Sequence, residues 1–143
     1  RLLILGEGEL RAEFEALVAE LGLKDVVDLP GFDANPYAYF KYASLFVLSS
    51  NWEGLPGVLI QALASKVKVV STNCPSGPME ILENSKFGLL VECNDQTGLT
   101  QAMQQAIFAD YVHYSEADFE AHIQQFHKAT VLKQYLNMME SAT

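Results

Sequence analysis

Short, continuous apolar runs alternate with segments that are apolar only at helical spacing, and this alternation constrains the chain more than any other feature. The runs are Leu2-Leu3-Ile4-Leu5, Val26-Val27-Asp28-Leu29, Leu45-Phe46-Val47-Leu48, Lys68-Val69-Val70-Ser71 and Gly88-Leu89-Leu90-Val91. Their continuity predicts strands buried on both faces. Between them, residues 9 to 21 place Leu10, Phe14, Leu17, Val18 and Leu21 on one helical face, with Gly22 as the stop. Asn35-Pro36 opens a second helix, and residues 56 to 64 form a third with Val58, Leu59, Ala62 and Leu63 apolar. A short helix covers residues 80 to 83, with Ser76 as its expected cap, and Asp95 caps one whose apolar face holds Leu99, Met103, Ala106 and Ile107. The pattern predicts an α/β, three-layer Rossmann-like domain: a parallel sheet of about five strands covered by helices on both faces. Residues 115 to 139 read as one bent or two joined C-terminal helices, buried through Phe119, Ile123, Phe126, Leu132, Tyr135 and Leu136.

Charge and length narrow the function. The 143 residues suit a single domain. Eighteen acidic residues oppose nine basic ones, for a net charge of −9, and no Lys or Arg lies between Lys86 and Lys128. Nucleic-acid binding needs clustered Lys and Arg on phosphates, so no nucleic-acid partner is expected. Cys74 and Cys93 make no disulfide framework and read as free thiols in a reducing compartment. His113, His122 and His127 lack ligand spacing on one helix face, so no metal is expected. No signal peptide or membrane-length apolar run is visible. Arg1 stands where Met ordinarily begins a protein, and the first apolar run follows with no lead-in. The chain is therefore expected to be part of a longer polypeptide.

Parallel sheets bind ligands beyond the carboxyl ends of their strands. Three segments are predicted there. Gly6-Glu7-Gly8 lets the backbone approach a ligand and present amides at a helix start, or is a plain strand-to-helix turn. It lacks the third glycine of the dinucleotide fingerprint. Glu53-Gly54-Leu55-Pro56-Gly57 offers a carboxylate able to accept from two vicinal hydroxyls, with unhindered amides at the following helix start. The alternative is a solvated Glu favoured by the helix dipole. Gln61 follows on that helix as a candidate polar contact or an ordinary solvent-facing side chain. The third segment, residues 72 to 80, carries Ser76 and Gly77 between two prolines, a stiff loop suited to a nucleotide edge or to a rigid connection. The cluster Tyr37, Tyr39, Phe40, Tyr42 and Phe46 has the spacing of core packing more than of a stacking platform.

These segments occur in the order of a known family. Gly6-Glu7-Gly8, Leu29-Pro30-Gly31-Phe32 with Asn35-Pro36, Phe46-Val47-Leu48-Ser49-Ser50 with Trp52-Glu53-Gly54-Leu55-Pro56, Ala62-Leu63-Ala64, Cys74-Pro75-Ser76-Gly77-Pro78 with Glu80-Ile81-Leu82, and Gly88-Leu89-Leu90-Val91 together resemble the C-terminal, donor-nucleotide-sugar-binding domain of retaining GT-B glycosyltransferases of family 4, the glycosyl transferases group 1. The resemblance is strongest over residues 2 to 109. It implies a fragment of a hexosyltransferase-type enzyme that moves a sugar from a nucleotide donor, usually a UDP-sugar, to a hydroxyl acceptor in surface glycan or polysaccharide synthesis. It implies no cofactor beyond the donor and no protein nucleophile.

By position, Glu53, Gly54, Leu55, Pro56 and Gly57 would hold the donor sugar. Gly6, Gly8, Gln61, Ser76 and Gly77 would line the nucleotide. Gln61 stands where the family has a second Glu for the ribose hydroxyls. Lys66 and Lys68 replace a Gly and a Pro, and Met79 stands where relatives often carry Arg. The family's phosphate-gripping Arg and Lys belong to a βα unit before Leu2, and its glycan or lipid-linked acceptor to an N-terminal domain. The chain is thus expected to be inactive alone, cytoplasmic, and peripheral to the inner membrane face only through that other domain. A non-catalytic nucleotide- or partner-binding domain of the same fold is the alternative reading.

Overall fold

The computed structural model describes residues 1–109 and 114–141, which divide into two compact units, 1–36 and 37–143. His113, one of the three histidines considered for metal ligation, lies outside the described residues. The first unit runs β1 (Leu2–Leu5), α1 (Arg11–Glu20) and β2 (Val27–Gly31). The strands pair in parallel, Leu2 against Val27 and Leu3 against Asp28, with a register shift before Leu5 meets Gly31. One guanidinium organises this unit: Arg11 donates to Glu7 Oε1 at 2.6 Å, Glu15 Oε1 at 2.8 Å and the Leu29 carbonyl at 2.8 Å.

The expectation that the first strand is buried on both faces fails here. Leu2 and Leu3 are 45% and 40% exposed, and Leu10, Phe14, Leu17 and Leu21 are exposed as well. A unit of two strands and one helix has too little surface of its own to cover an apolar strand.

The second unit carries α2 (Tyr37–Phe40), β3 (Phe46–Leu48), α3 (Gly57–Ala64), β4 (Val69–Thr72), α4 (Pro78–Ile81), β5 (Leu89–Val91), α5 (Gln96–Phe108), α6 (Glu116–Gln124) and α7 (Lys128–Ser141). Its sheet is parallel in the order β3-β4-β5, with Val47 against Val70 and Ser71 against Leu90. Pairing within each sheet is thus parallel, as expected, but the strands hydrogen-bond as sheets of two and three rather than as one sheet of five. Apolar patterning marks a strand without choosing its edge partner, which depends on main-chain register.

β4 is the centre of the second unit, and all four of its residues are buried. Alternate side chains serve opposite faces. Val69 joins Leu59, Leu63, Ile81, Leu82, Phe87 and Phe119 on one side, while Val70 joins Ala102 and Ala106 on the other. α3 and α6 therefore cover one face and α5 the other, the two-sided cover that continuous apolar strands require. Asp95 caps α5 as expected, accepting from the Gly98 amide at 2.8 Å.

The buried stripe of α5 runs through Leu99, Ala102 and Ala106 rather than through Ile107, which is 47% exposed. Small alanines let the helix sit close to the sheet, which turns Ile107 outward. The C-terminal segment is two helices. α6 starts with a capping box in which Ser115 and Asp118 serve each other's backbone amides. Phe119 and Ile123 are buried and Phe126 partly so, but Leu132, Tyr135 and Leu136 are exposed, because α7 has no buried residue. Of the aromatic cluster, Phe40 is core, edge-on to Phe46 at 5.6 Å, whereas Tyr42 is exposed. No described helix is long and apolar enough to cross a membrane.

Candidate functional site

β3 and β4 end side by side, and their carboxyl ends release the two loops that carry most of the expected site residues. Thr72, the last residue of β4, ties these ends together: its hydroxyl donates to the carbonyl oxygens of Leu48, at 3.3 Å, and Ser50. Ser50 in turn donates its own hydroxyl to Glu53 Oε1 at 2.8 Å. The Glu53 carboxylate is thus aimed by a side chain three residues before it, which is itself held by the neighbouring strand. A residue so placed is pre-oriented, and less conformational entropy is lost when it meets a ligand.

The second loop docks onto the first. Ser76, the expected cap of α4, does not serve that helix: its hydroxyl instead donates to the carbonyl oxygens of Glu53, at 3.1 Å, and Pro75, at 2.7 Å. The cap position falls to Gly77, and Pro78 then starts the helix with no amide proton to receive a cap. Gly77 has φ +82°, and a Cβ there would stand 2.5 Å from Pro56 Cδ and 2.6 Å from the Gly54 carbonyl oxygen. Only glycine allows this contact. Glu53, Gly54 and Pro56 are thereby brought together with Ser76 and Gly77. Leu55 is exposed, Pro56 is buried, and Gly57 opens the eight-residue α3.

An open cleft of about 800 Å³ lies along the second loop, from Asn73 to Gly77 and on to Met79, Glu80, Glu83 and Asn84. Two carboxylates and no Lys or Arg line it. A phosphate group would therefore have to be met by backbone amides or by positive charge from elsewhere. Two of its wall residues, Glu83 and Asn84, and the Ser85 that follows them have positive φ of 43°, 54° and 72°.

Gln61 is half-buried on the second turn of α3. Gly6 and Gly8 belong to the first unit, where they line a cleft of about 460 Å³ with Leu5, Arg11, Phe14 and Leu29. Gly6 has φ +123°, so the turn needs glycine, but its amide is spent on the Gly31 carbonyl at 2.8 Å rather than presented to a ligand. Among the described residues no cluster of His, Cys, Asp and Glu suited to a metal ion occurs.

Sequence reasoning missed Ser50 and Thr72 as the supports of Glu53, and Glu83 and Asn84, at the start of a turn, as part of the cleft. Ser50 had a readable signal in its place at a strand end three residues before a carboxylate. The turn had none, since Glu-Asn-Ser-Lys is ordinary solvent-facing composition.

Cys74 is buried beside this frame, and burial, then the nearby Cys93 and Glu53, push its thiol above the ordinary range. The thiolate is the reactive form. We expect Cys93, which is only half-buried, to react with a thiol reagent at neutral pH well before Cys74. Mass mapping of partial alkylation checks this, and equal labelling of the two would contradict it.

Known proteins share this sequence pattern and this fold. Residues 1–120 match the profile of the family described as Glycosyl transferases group 1. A Campylobacter jejuni protein, N-acetylgalactosamine-N,N'-diacetylbacillosaminyl-diphospho-undecaprenol 4-alpha-N-acetylgalactosaminyltransferase, is 42% identical over 104 residues, which cover 73% of this chain and 28% of the relative. Among solved structures, the apo form of the lipopolysaccharide outer core galactosyltransferase WaaB superposes with TM-score 0.84 at 22% identity, over all of this chain and 41% of that one. Staphylococcus aureus TarM, as a point mutant in complex with Fondaparinux, alpha-GlcNAc-glycerol and UDP, gives TM-score 0.82 at 25% identity, over 94% of this chain and 28% of that one. The chain spans less than half the length of each of these three proteins.

Proposed function

The chain belongs to the glycosyl transferases group 1 family, and from that premise we propose that it is the C-terminal, nucleotide-sugar-binding half of a retaining glycosyltransferase. In this reading Glu53 accepts hydrogen bonds from donor-sugar hydroxyls, and the amides from Gly54 to Gly57 meet the sugar and phosphates. Ser76 and Gly77 wall the donor. Gln61 receives the ribose. The donor is a UDP-sugar, and UDP is the nucleotide named with TarM. The acceptor is a glycan or lipid-linked hydroxyl held by another domain, which also supplies any membrane contact at the cytoplasmic face.

The observation that carries the proposal is the aimed carboxylate. Glu53 is held through its side chain by Ser50 and through its main chain by Ser76, at the carboxyl ends of two parallel strands. A carboxylate can accept from two neighbouring hydroxyls at once, the pattern a sugar edge offers. This reading requires no attacking group from the frame. Its contribution is position and hydrogen bonding, while the leaving diphosphate needs positive charge that this cleft does not contain. The chain alone is accordingly proposed to bind donor without transferring sugar.

Calorimetric titration with UDP, UDP-glucose and UDP-N-acetylglucosamine tests this. At least one UDP-sugar is expected to bind more tightly than UDP, and Glu53→Ala is expected to remove roughly tenfold or more of that gain, the worth of hydrogen bonds to a charged acceptor. An unchanged preference in the Glu53 variant would remove the donor-sugar role. A second reading, a non-catalytic binding domain, is favoured by Gln61 in place of a carboxylate. In that case UDP would bind and every UDP-sugar would bind no better.

A further inference from the structure

His122 takes no part in the site as described, yet it is among the most buried polar side chains of the described chain, at 3% exposed. Its ring reaches from α6 to the end of α4. Nδ1 lies 2.9 Å from Glu83 Oε1, and Nε2 lies 2.7 Å from the Ile81 carbonyl oxygen. A backbone carbonyl only accepts, and a carboxylate only accepts. The ring thus meets an oxygen at each of its two nitrogens, and what each nitrogen donates or accepts depends on its tautomer.

Aromatic rings pack around it. The ring is stacked on Phe87 at 4.1 Å between centroids and 14° between planes, with Phe126 edge-on at 5.3 Å. The charged groups nearby are Glu83 itself, Lys86, whose Nζ lies 3.3 Å from the other Glu83 oxygen, and Asp118, whose carboxylate feels Lys86. Glu83 therefore receives a donor on each oxygen, one of them buried.

The contact falls on strained backbone. Glu83, Asn84 and Ser85 all hold positive φ without being glycine, and such a run persists only where its surroundings over-determine it. Glu83 and Asn84 also line the cleft beside Ser76 and Gly77. We propose that His122 is a positioning residue of the candidate donor site: its ring fastens the Ile81 carbonyl and the Glu83 side chain, and so fixes the Glu83–Ser85 turn, whose first two residues line the cleft. This rests on the donor-site reading for its ligand, but not for the fastening itself.

The test has two arms on the full chain. In the first, backbone amide spectra compare the wild-type chain with a variant that lacks the ring nitrogens. The His122→Phe variant, which keeps the stack on Phe87 but has no donors, is expected to move the backbone amide signals of Glu83 to Ser85. In the second, UDP is titrated into both proteins, and the affinity of His122→Phe is expected to fall about tenfold.

Unmoved amides in the variant overturn the fastening. Equal UDP affinity in two folded proteins overturns the positioning role. If the wild-type chain binds no UDP, the donor-site reading fails, and the first arm still decides the fastening. Should His122→Phe not fold, Glu83→Gln replaces it. That position is half-exposed, and the substitution, which weakens the contact to the ring, is expected to move the His122 ring-nitrogen signals; unmoved ring signals overturn the fastening.

Discussion

Truncating Phe87 to alanine lowers the unfolding free energy by about 3–5 kcal/mol, the expected cost of deleting a fully buried aromatic ring and leaving its cavity. Phe87 is 1% exposed and is the largest side chain buried to that degree among the described residues. Its ring is shared by three neighbours, at 4.1 Å from His122, 4.9 Å from Tyr114 and 6.0 Å from Phe119. It therefore joins the segment before β5 to α6, and each ring pair adds about 0.5–1.5 kcal/mol beyond area burial. The midpoint of urea unfolding, followed by circular dichroism, measures the loss. Phe87→Leu, which refills much of the space, is expected to lose less than half as much. Equal losses for the two variants would mean that the aromatic contacts contribute nothing specific.

The second large effect belongs to Gly77. Gly77→Ala is expected to cost about 2–4 kcal/mol, from a left-handed backbone that disfavours a Cβ and from contact with atoms that cannot yield. The nearest obstacles, Pro56 Cδ and the Gly54 carbonyl oxygen, belong to a ring and to main chain rather than to a mobile side-chain tip. The two loops must separate to admit the methyl group, so the preference for UDP-sugar over UDP is expected to disappear along with the stability. Gly54→Ala is the control. A Cβ there meets nothing within 4 Å, and its stability is expected to stay within about 0.5 kcal/mol of wild type. Thermal unfolding and calorimetry on the pair separate the two glycines, and similar values for both would refute the packing argument.

Much of this architecture is written in residue order. Each strand and helix falls within a few residues of its predicted place, because continuous apolarity and helical spacing are local signals. The loops around Glu53 and Ser76 were legible for the same reason, since each directly follows a strand. What escaped was pairing across space. Ser76 is a good capping residue by type, and only the position of the Glu53 carbonyl explains why its hydroxyl turns elsewhere. The division into two sheets was hidden in main-chain register. The apolar faces of α1 and α7 were read correctly as apolar but not as exposed. Periodicity reports what a helix could bury, and a neighbour must be present before it does.

The bond between the two loops has one further property. Ser76 grips the main-chain oxygen of residue 53 and ignores its side chain. Every amino acid supplies that oxygen, so the junction survives whatever stands at this position. A lineage carrying this frame is free to exchange the group that faces the ligand, one codon at a time, without dismantling the loops that present it. Recognition can drift while the scaffold stays fixed, because the hydrogen bond that holds the scaffold is blind to the residue that does the recognising.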